Sequence, residues 1–394
     1  MYLFILFISF LNLNLSRSHD IGVDIYTNFP GGNIVVDSIS GNDIYLSPDL
    51  RDTSTDWFYW YFAVKANQSG RLNFHLSGQN YLTNGGPAVS TDGGVSWQWL
   101  GKDFTERSFS YQIEAGKEVR FSMGMPYTQS HFDTFMESYR KHKSVRLETL
   151  CTTPKGRNTE KLVIGPRQAS QKVLITARHH ACEMMANYAL EGFITTLLSD
   201  DNHMRRLREN VEFWIIPFMD KDGVEDGDQG KNRKPKDHNR DYNDESIYCS
   251  TGSLRKTVPA WSNGQLKAAI DLHCPWIKGN LNEHIYLVGN AQKKIEEQQV
   301  AFMQLLAKNN KGEVKFSPDK GFIAFGTAWN TAKNFTQGKS FSAWAAELEG
   351  IRLSTTFEIP YSLNEGMYLT PENLRAFGKD MAFALAEYLG TSEK

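Results

Sequence analysis

The chain has 394 residues, of which 40% are hydrophobic, 12% aromatic and 22% charged, and its 43 Lys and Arg face 45 Asp and Glu for a formal net charge of −2. That composition excludes disorder as a description of the whole chain, and a sequence pI of about 6.6 offers no broad basic face for phosphate contacts, so no nucleic-acid partner is expected. The length exceeds the roughly 250–300 residues at which a single core stops growing, so two packed domains are expected.

In chain order, residues 1–15 (MYLFILFISFLNLNL) are continuously apolar but shorter than the ~20 residues a membrane-spanning helix needs. They read as a signal peptide over residues 1–18, with Ser16 and Ser18 at positions −3 and −1 before His19, although only the amino terminus supplies positive charge there. A secreted or periplasmic protein without stable membrane insertion is expected; a buried N-terminal strand in a cytoplasmic protein is the alternative. Residues 19–128 carry short β-rich runs at 57–64, 72–76, 97–100 and 119–123, punctuated by Gly85-Gly86-Pro87 and Asp92-Gly93-Gly94, the pattern of an all-β antiparallel sandwich. The aromatic run at 57–62 is read as sandwich core and domain interface, with a sugar-stacking surface as the alternative.

Residues 129–144 form a polar link with a helix expected over 129–143. From 145 to 394 strands alternate with longer helical segments. Runs 172–176 and 212–219 are apolar throughout, as in strands buried on both faces, with further strands at 268–273 and 285–288. Helices are expected over 183–198, 296–307 and 371–389, the last with Thr370 as N-cap and Pro371 in its first turn. The fold class is therefore α/β, a mixed and largely buried sheet flanked by helices, preceded by the sandwich. Cys151, Cys182, Cys249 and Cys274 form no C-x-x-C pair; they permit one or two bridges and require none.

The strongest local signal is Arg178-His179-His180-Ala181-Cys182-Glu183, where a buried strand ends and a helix is expected to begin. The carboxyl edge of an α/β sheet is where ligands bind. Imidazole and carboxylate both ligate zinc, and a catalytic zinc takes three protein ligands and keeps one open position. His180 and Glu183, three residues apart, can address one ion; His273, in Asp271-Leu272-His273 at another strand end, supplies the third ligand, with Asp271 stiffening the local geometry. Any lone histidine is more commonly a satisfied core or surface residue. Cys182 and Cys274, each beside a ligand, are read as small core residues.

With these motifs in order, the chain resembles the zinc metallocarboxypeptidase family, in particular its cytosolic-carboxypeptidase-like branch, in which a β-sandwich precedes the catalytic domain. Trp57-Phe58-Tyr59-Trp60, Trp97-Gln98-Trp99-Leu100-Gly101 and Pro126-Tyr127-Thr128 are similar to segments of that sandwich. His180 to Glu183, Pro217 to Val224, Arg233 followed by Asn239-Arg240, Asp271 to His273 and Thr356 to Glu358 follow the order of the catalytic motifs. The resemblance implies one zinc ion per chain on His180, Glu183 and His273, Glu358 as general base, Arg233 as the oxyanion-stabilising cation, and Asn239 and Arg240 on the terminal carboxylate of a peptide or protein substrate. Read without it, Glu358 pairs with Arg352 or Lys339, and residues 231–240 are a solvated basic loop. The mobile tyrosine of the family has no counterpart in residues 330–347. Where glutamate-removing relatives carry an arginine in the side-chain pocket, this chain has Trp329 in Gly326-Thr327-Ala328-Trp329. That difference argues against deglutamylation and for apolar or aromatic C-terminal residues. A murein-peptide hydrolase and a catalytically inactive binding protein are the alternatives; the oligomeric state is not legible.

Overall fold

Short strands in which alternate residues are apolar need a second layer to cover their apolar face. The computed structural model describes residues 22–391 apart from 79, 102 and 244, so the signal-peptide expectation lies outside the described residues. The N-terminal strands are β1 (Val23–Tyr26), β2 (Val35–Ser40), β3 (Asp43–Ser47), β4 (Tyr61–Ala66), β5 (Gly70–Leu76), β6 (Ala88–Ser90), β7 (Gln98–Trp99), β8 (Ser108–Ile113) and β9 (Glu118–Ser122). They form two sheets, ordered β1-β4-β9-β6-β7 and β2-β3-β5-β8. In β5 the alternation is visible residue by residue: Leu72, Phe74 and Leu76 are buried while Arg71, Asn73 and His75 are not. The rings of Phe62, Phe74, Phe109 and Phe121 meet between the sheets at centroid distances of 4.8–5.7 Å. The expected antiparallel sandwich is present with one parallel pairing inside it, β3 with β5.

The aromatic run departs from the expected strand, because β4 begins only at Tyr61. Tyr59 N donates to Gln229 Oε1 at 2.8 Å and Tyr59 O accepts from Gln229 Nε2 at 2.9 Å, so this stretch spends its backbone groups on a side chain of the second domain. The link is a packed element too. Helix α1 (Gln129–Glu137) is shorter than expected and buries Phe132 and Met136.

The second domain contains β10 (Val145–Thr152), β11 (Asn158–Ile164), β12 (Gln171–Ala177), α2 (Met185–Leu197), α3 (Asn202–Asn210), β13 (Val211–Ile216), α4 (Lys221–Asp226), α5 (Cys249–Ser262), β14 (Leu266–His273), β15 (Tyr286–Val288), α6 (Lys293–Asn309), β16 (Phe322–Ile323), α7 (Phe341–Ala345), β17 (Leu353–Glu358) and α8 (Pro371–Tyr388). Its sheet runs β10-β11-β13-β12-β14-β17-β15-β16, with β13, β12, β14 and β17 parallel. Helices α2, α3, α6 and α8 share a core with one face of the sheet, and α5 and α7 cover the other. Gly192 and Gly378 permit the approach of α2 to α8: a Cβ on Gly378 would stand 1.9 Å from Ala189 O. Thr370 caps α8 and Asn373 returns the bond to the Thr370 amide.

Register then sets the site. Ala177 pairs with Leu272, and His273 pairs with Glu358, so the carboxyl ends of β12, β14 and β17 finish on one rim. Cys151 of β10 is bonded to Cys249 at the start of α5, while Cys182 and Cys274 are free and buried. Alkylation of the denatured, unreduced protein should therefore label two cysteines, and four after reduction; mass spectrometry finding four labelled without reductant would contradict the bridge.

Candidate metal centre and active site

Strand β12 ends at Ala177, and Arg178 turns the chain through the left-handed region at φ 61°. A side chain there is tolerated only where its surroundings over-determine it. The buried guanidinium donates to Tyr127 O at 2.8 Å, Asn187 Oδ1 at 3.0 Å and Ala181 O at 3.1 Å. The turn thereby presents His179 to Asp271 and Tyr242, and His180 to Glu183 and His273. Helix α2 starts at Met185 instead of Glu183, because residues 180–183 form a separate turn closed by Glu183 N donating to His180 O.

His180, Glu183 and His273 converge. His180 Nδ1 lies 3.1 Å from His273 Nδ1 and 3.1 Å from Glu183 Oε1, and Glu183 Oε2 lies 2.8 Å from His273 Nδ1. All three are buried, and Glu183 Oε2 has no partner in hydrogen-bond geometry. Two imidazole nitrogens and a carboxylate facing a common point suit zinc, whose ligands stand about 2.0–2.2 Å from the ion. Acids face the outer nitrogens: His273 Nε2 is hydrogen-bonded to Asp271 Oδ2 at 2.6 Å, and His180 Nε2 lies 3.8 Å from Asp237 Oδ1. The bond from Asp271 orients the His273 ring with Nδ1 toward the ion site. Asp271 also accepts from Thr176 Oγ1 and meets His179 Nδ1, both at 2.8 Å, and His179 Nε2 meets Tyr242 OH at 2.7 Å. His179, Asp271 and His273 also form a metal-competent cluster, but its donor atoms are occupied by one another. Burial opposes the charge on Asp271, yet His179 and His273 hold its carboxyl well below the usual range.

The cation that the structure brings to this centre is Lys231. Its Nζ lies 2.7 Å from Glu183 Oε1. Burial alone would lower its pKa, but Glu183 and then Glu358 raise it, so Lys231 stays charged. Burial likewise opposes the charge on Glu183, which Lys231, His180 and His273 nevertheless hold well below the usual carboxylate range.

Arg233, expected on the oxyanion, is placed elsewhere. Its Nη1 donates to Asp228 at 2.8 Å and its Nη2 to Asp220 at 2.5 Å, with Asp52 at 3.6 Å. Three acids on separate segments outcompete the cleft for it. Lys231, two residues earlier in the same loop, lines the cleft instead.

That cleft has a volume of about 410 Å³ and is lined by His180, Lys231, Arg240, Trp329 and Glu358, with Trp57 and Trp276 at its lip. Glu358 is buried and pairs with neither expected surface partner: Lys339 meets Glu347 at 2.6 Å, and Arg352 stands over the Tyr388 ring at 5.1 Å. Burial raises the Glu358 carboxyl to about 7 against the pull of Lys231 and His273, and its Oε2 has no partner. Arg240 donates to Asn334 O at 2.9 Å and Asn239 O at 2.7 Å, while Asn239, buried behind it, lies 3.3 Å from His273 Nε2. Trp329 is 38% exposed at the cleft. Sequence reading missed Tyr286, which faces Glu358 across the β15–β17 ladder and shares its side of the sheet. Cys182, pushed up to about 12 by burial, is a packed thiol, and Cys274 is raised for the same reason.

Residues 132–384 match the Peptidase M14 family, described as zinc carboxypeptidase. The chain is 26% identical over 312 residues to cytosolic carboxypeptidase 6 of Caenorhabditis elegans, covering 71% of this chain and 67% of that protein. It is 24% identical over 386 residues to an uncharacterised protein of Zymomonas mobilis, covering 93% and 97%. Among solved structures, a metallo-carboxypeptidase from Burkholderia cenocepacia superposes with a TM-score of 0.76 at 20% identity, covering 94% of this chain and 99% of its own. The metallo-carboxypeptidase of Pseudomonas aeruginosa, in complex with (2-guanidinoethylmercapto)succinic acid, does so at 0.71 and 21% identity, covering 93% and 99%. At these identities the superpositions show a shared fold.

The geometry generates two expectations. Asp271→Asn should weaken zinc binding about 10–100-fold in a competitive chelator titration, since the acid orients a ligand; unchanged affinity would remove Asp271 from that role. In metal-free protein, native Glu358 keeps its proton up to about pH 7 whereas the unfolded chain releases it near 4.5. Its contribution to stability is therefore complete below pH 4.5 and lost as pH rises to 7. Relative to Glu358→Gln, chelated wild type should lose at most about 3 kcal/mol across that window in denaturant titrations; a difference independent of pH would refute the raised pKa.

Proposed function

The chain belongs to the zinc carboxypeptidase family, and on that premise we propose that it removes the C-terminal residue of peptides at a single zinc site formed by His180, Glu183 and His273. The observation that carries this reading is the convergence of those three side chains at one end of a cleft that also holds Glu358, Lys231 and Arg240. Zinc held there would supply the acidity that makes water nucleophilic near neutral pH.

The remaining tasks fall to this chain's own residues. Glu358, with a pKa near 7, is matched to taking a proton from the attacking water and returning it to the leaving nitrogen. Lys231 replaces Arg233 as the fixed cation facing the carbonyl oxygen as negative charge develops. Arg240, whose guanidinium is steadied by two backbone carbonyls, meets the substrate's terminal carboxylate beside Asn239. Trp329, Tyr286, Leu281 and Trp276 give the cleft an aromatic and apolar wall, which favours neutral side chains, because an acidic one would be desolvated without a partner. Trp57 brings the sandwich domain to the cleft of the catalytic domain. We place the protein in a secreted or periplasmic compartment; the apolar residues 1–15 and the Cys151–Cys249 bridge, rare in a reducing cytosol, support this. Among the described residues no helix is long and apolar enough to cross a membrane.

Digestion of a peptide library should release neutral, predominantly apolar or aromatic C-terminal residues. Glu358→Gln should lower kcat about 10²–10⁴-fold with zinc retained, and Lys231→Ala about 10²–10³-fold. Cleavage confined to purified muropeptides would replace this reading with a murein-peptide hydrolase. Ligand binding indifferent to chelator, with no turnover, would favour an inactive binding protein.

A further inference from the structure

Residues 225–234, which deliver Lys231, are held between their own domain and the sandwich. On one side the loop lies against the metal-binding turn: Cys182 N donates to Gln229 O at 3.1 Å. Gly230, at φ 77°, sits so near that turn that a Cβ would stand 2.2 Å from Ala181 N, so the loop packs directly on the turn. On the other side it meets the sandwich. The Asp52 carboxylate, 6% exposed, accepts from Gln229 N at 3.0 Å and from Gly230 N at 2.9 Å, while Asp52 O accepts from Lys234 N at 2.9 Å. Ser54 N donates to Asn232 O at 3.1 Å, and Asn232 Nδ2 donates to Thr55 Oγ1 at 2.8 Å. Arg51 Nε donates to Asp228 at 3.0 Å, and Arg51 Nη2 reaches Asp226 O.

We propose that the sandwich is a working part of the active site, in which Asp52 is a positioning residue that fixes the backbone of residues 229–231 and thereby the location of Lys231 Nζ beside the metal centre. A carboxylate accepting two consecutive backbone amides locks their direction, and a charge-assisted bond of that kind is about twice as strong as a neutral one. Lys231 has a flexible four-carbon stem, so its reach is set by where residue 231 is anchored. Among the described residues the acid that accepts both Gln229 N and Gly230 N is Asp52, from the other domain. The inference rests on the proposed carboxypeptidase reading for its kinetic arm alone.

The test is a double-mutant cycle on zinc-loaded full-length protein. Asparagine keeps the shape of Asp52 but can accept from only one of the two amides. Asp52→Asn should lower kcat about 10-fold with KM within about 2-fold and zinc content unchanged, a misplacement of the cation by a fraction of an ångström sufficing for that loss. In a Lys231→Ala background the same substitution should change kcat less than about 2-fold, since nothing remains to be positioned. An equal loss in both backgrounds, or none in wild type, overturns the proposal. Arg51→Ala, at a more exposed anchor of the same loop, should show a smaller loss with the same non-additivity and serves if Asp52→Asn does not fold. Amide hydrogen exchange at Gln229 and Gly230 should accelerate at least about 10-fold in Asp52→Asn while β4 and β9 are unchanged. Unchanged exchange at those amides refutes the clamp. A wild type that cleaves no C-terminal residue refutes the proposed function instead, and the exchange measurement still decides the clamp.

Discussion

The structure depends on one electrostatic constraint: carboxylates are gathered and buried around the rim formed by β12, β14 and β17. Glu183, Asp237, Asp271 and Glu358 are all at or below 5% exposure within this neighbourhood, and Lys231 is the lysine brought among them. Taking an ionised carboxylate out of water costs several kcal/mol unless it is paired. Imidazoles answer part of the demand, and His273, held between Asp271 and Glu183, is pushed well above its ordinary pKa despite its burial. A divalent cation between His180, Glu183 and His273 would answer the rest; Glu183 Oε2 lies 2.8 Å from His273 Nδ1 outside hydrogen-bond geometry, and Glu358 Oε2 has no hydrogen-bond partner.

Much of this was legible because strand ends are strongly specified. The apolar runs that become β12, β13 and β14 are buried on both faces, and parallel register with β17 fixes which residues emerge together at their carboxyl ends. His180, Glu183 and His273 therefore followed from where each lies relative to its strand, whereas Glu358 followed from the family resemblance alone. Arg240 and Trp329 line the cleft, and Asn239 lies behind it, 3.3 Å from His273 Nε2. Arg233 does not line the cleft, for a reason no local pattern carries. Within residues 231–236 four side chains are cationic, and which one enters the cleft is decided by Asp52, Asp220 and Asp228, brought together only by the fold.

The remaining differences share that origin in tertiary partners. The run Trp57-Phe58-Tyr59-Trp60 has strong strand propensity, yet Gln229 takes the backbone groups of Tyr59 and keeps the stretch out of the ladder. The parallel pairing of β3 with β5 and the choice of Cys249 as partner for Cys151 are likewise long-range outcomes. In each case residues of the two domains or of distant segments satisfy one another, and the core formed by Phe58, Met125, Tyr127, Phe132 and Met184 runs without interruption from one domain into the other. The sandwich is thus joined to the catalytic domain by buried surface and by the hydrogen bonds of residues 31–59, a connection of a different kind from a tethered module.

The most direct measurement is zinc K-edge X-ray absorption on the purified protein, with the coordination shell fitted for wild type and for His179→Ala. The account predicts two imidazole nitrogens and carboxylate oxygen at about 2.0–2.2 Å, a shell retained when His179 is removed and lost on replacing His180 or His273. A shell lacking imidazole, or one that vanishes with His179 and survives without His180, would contradict it.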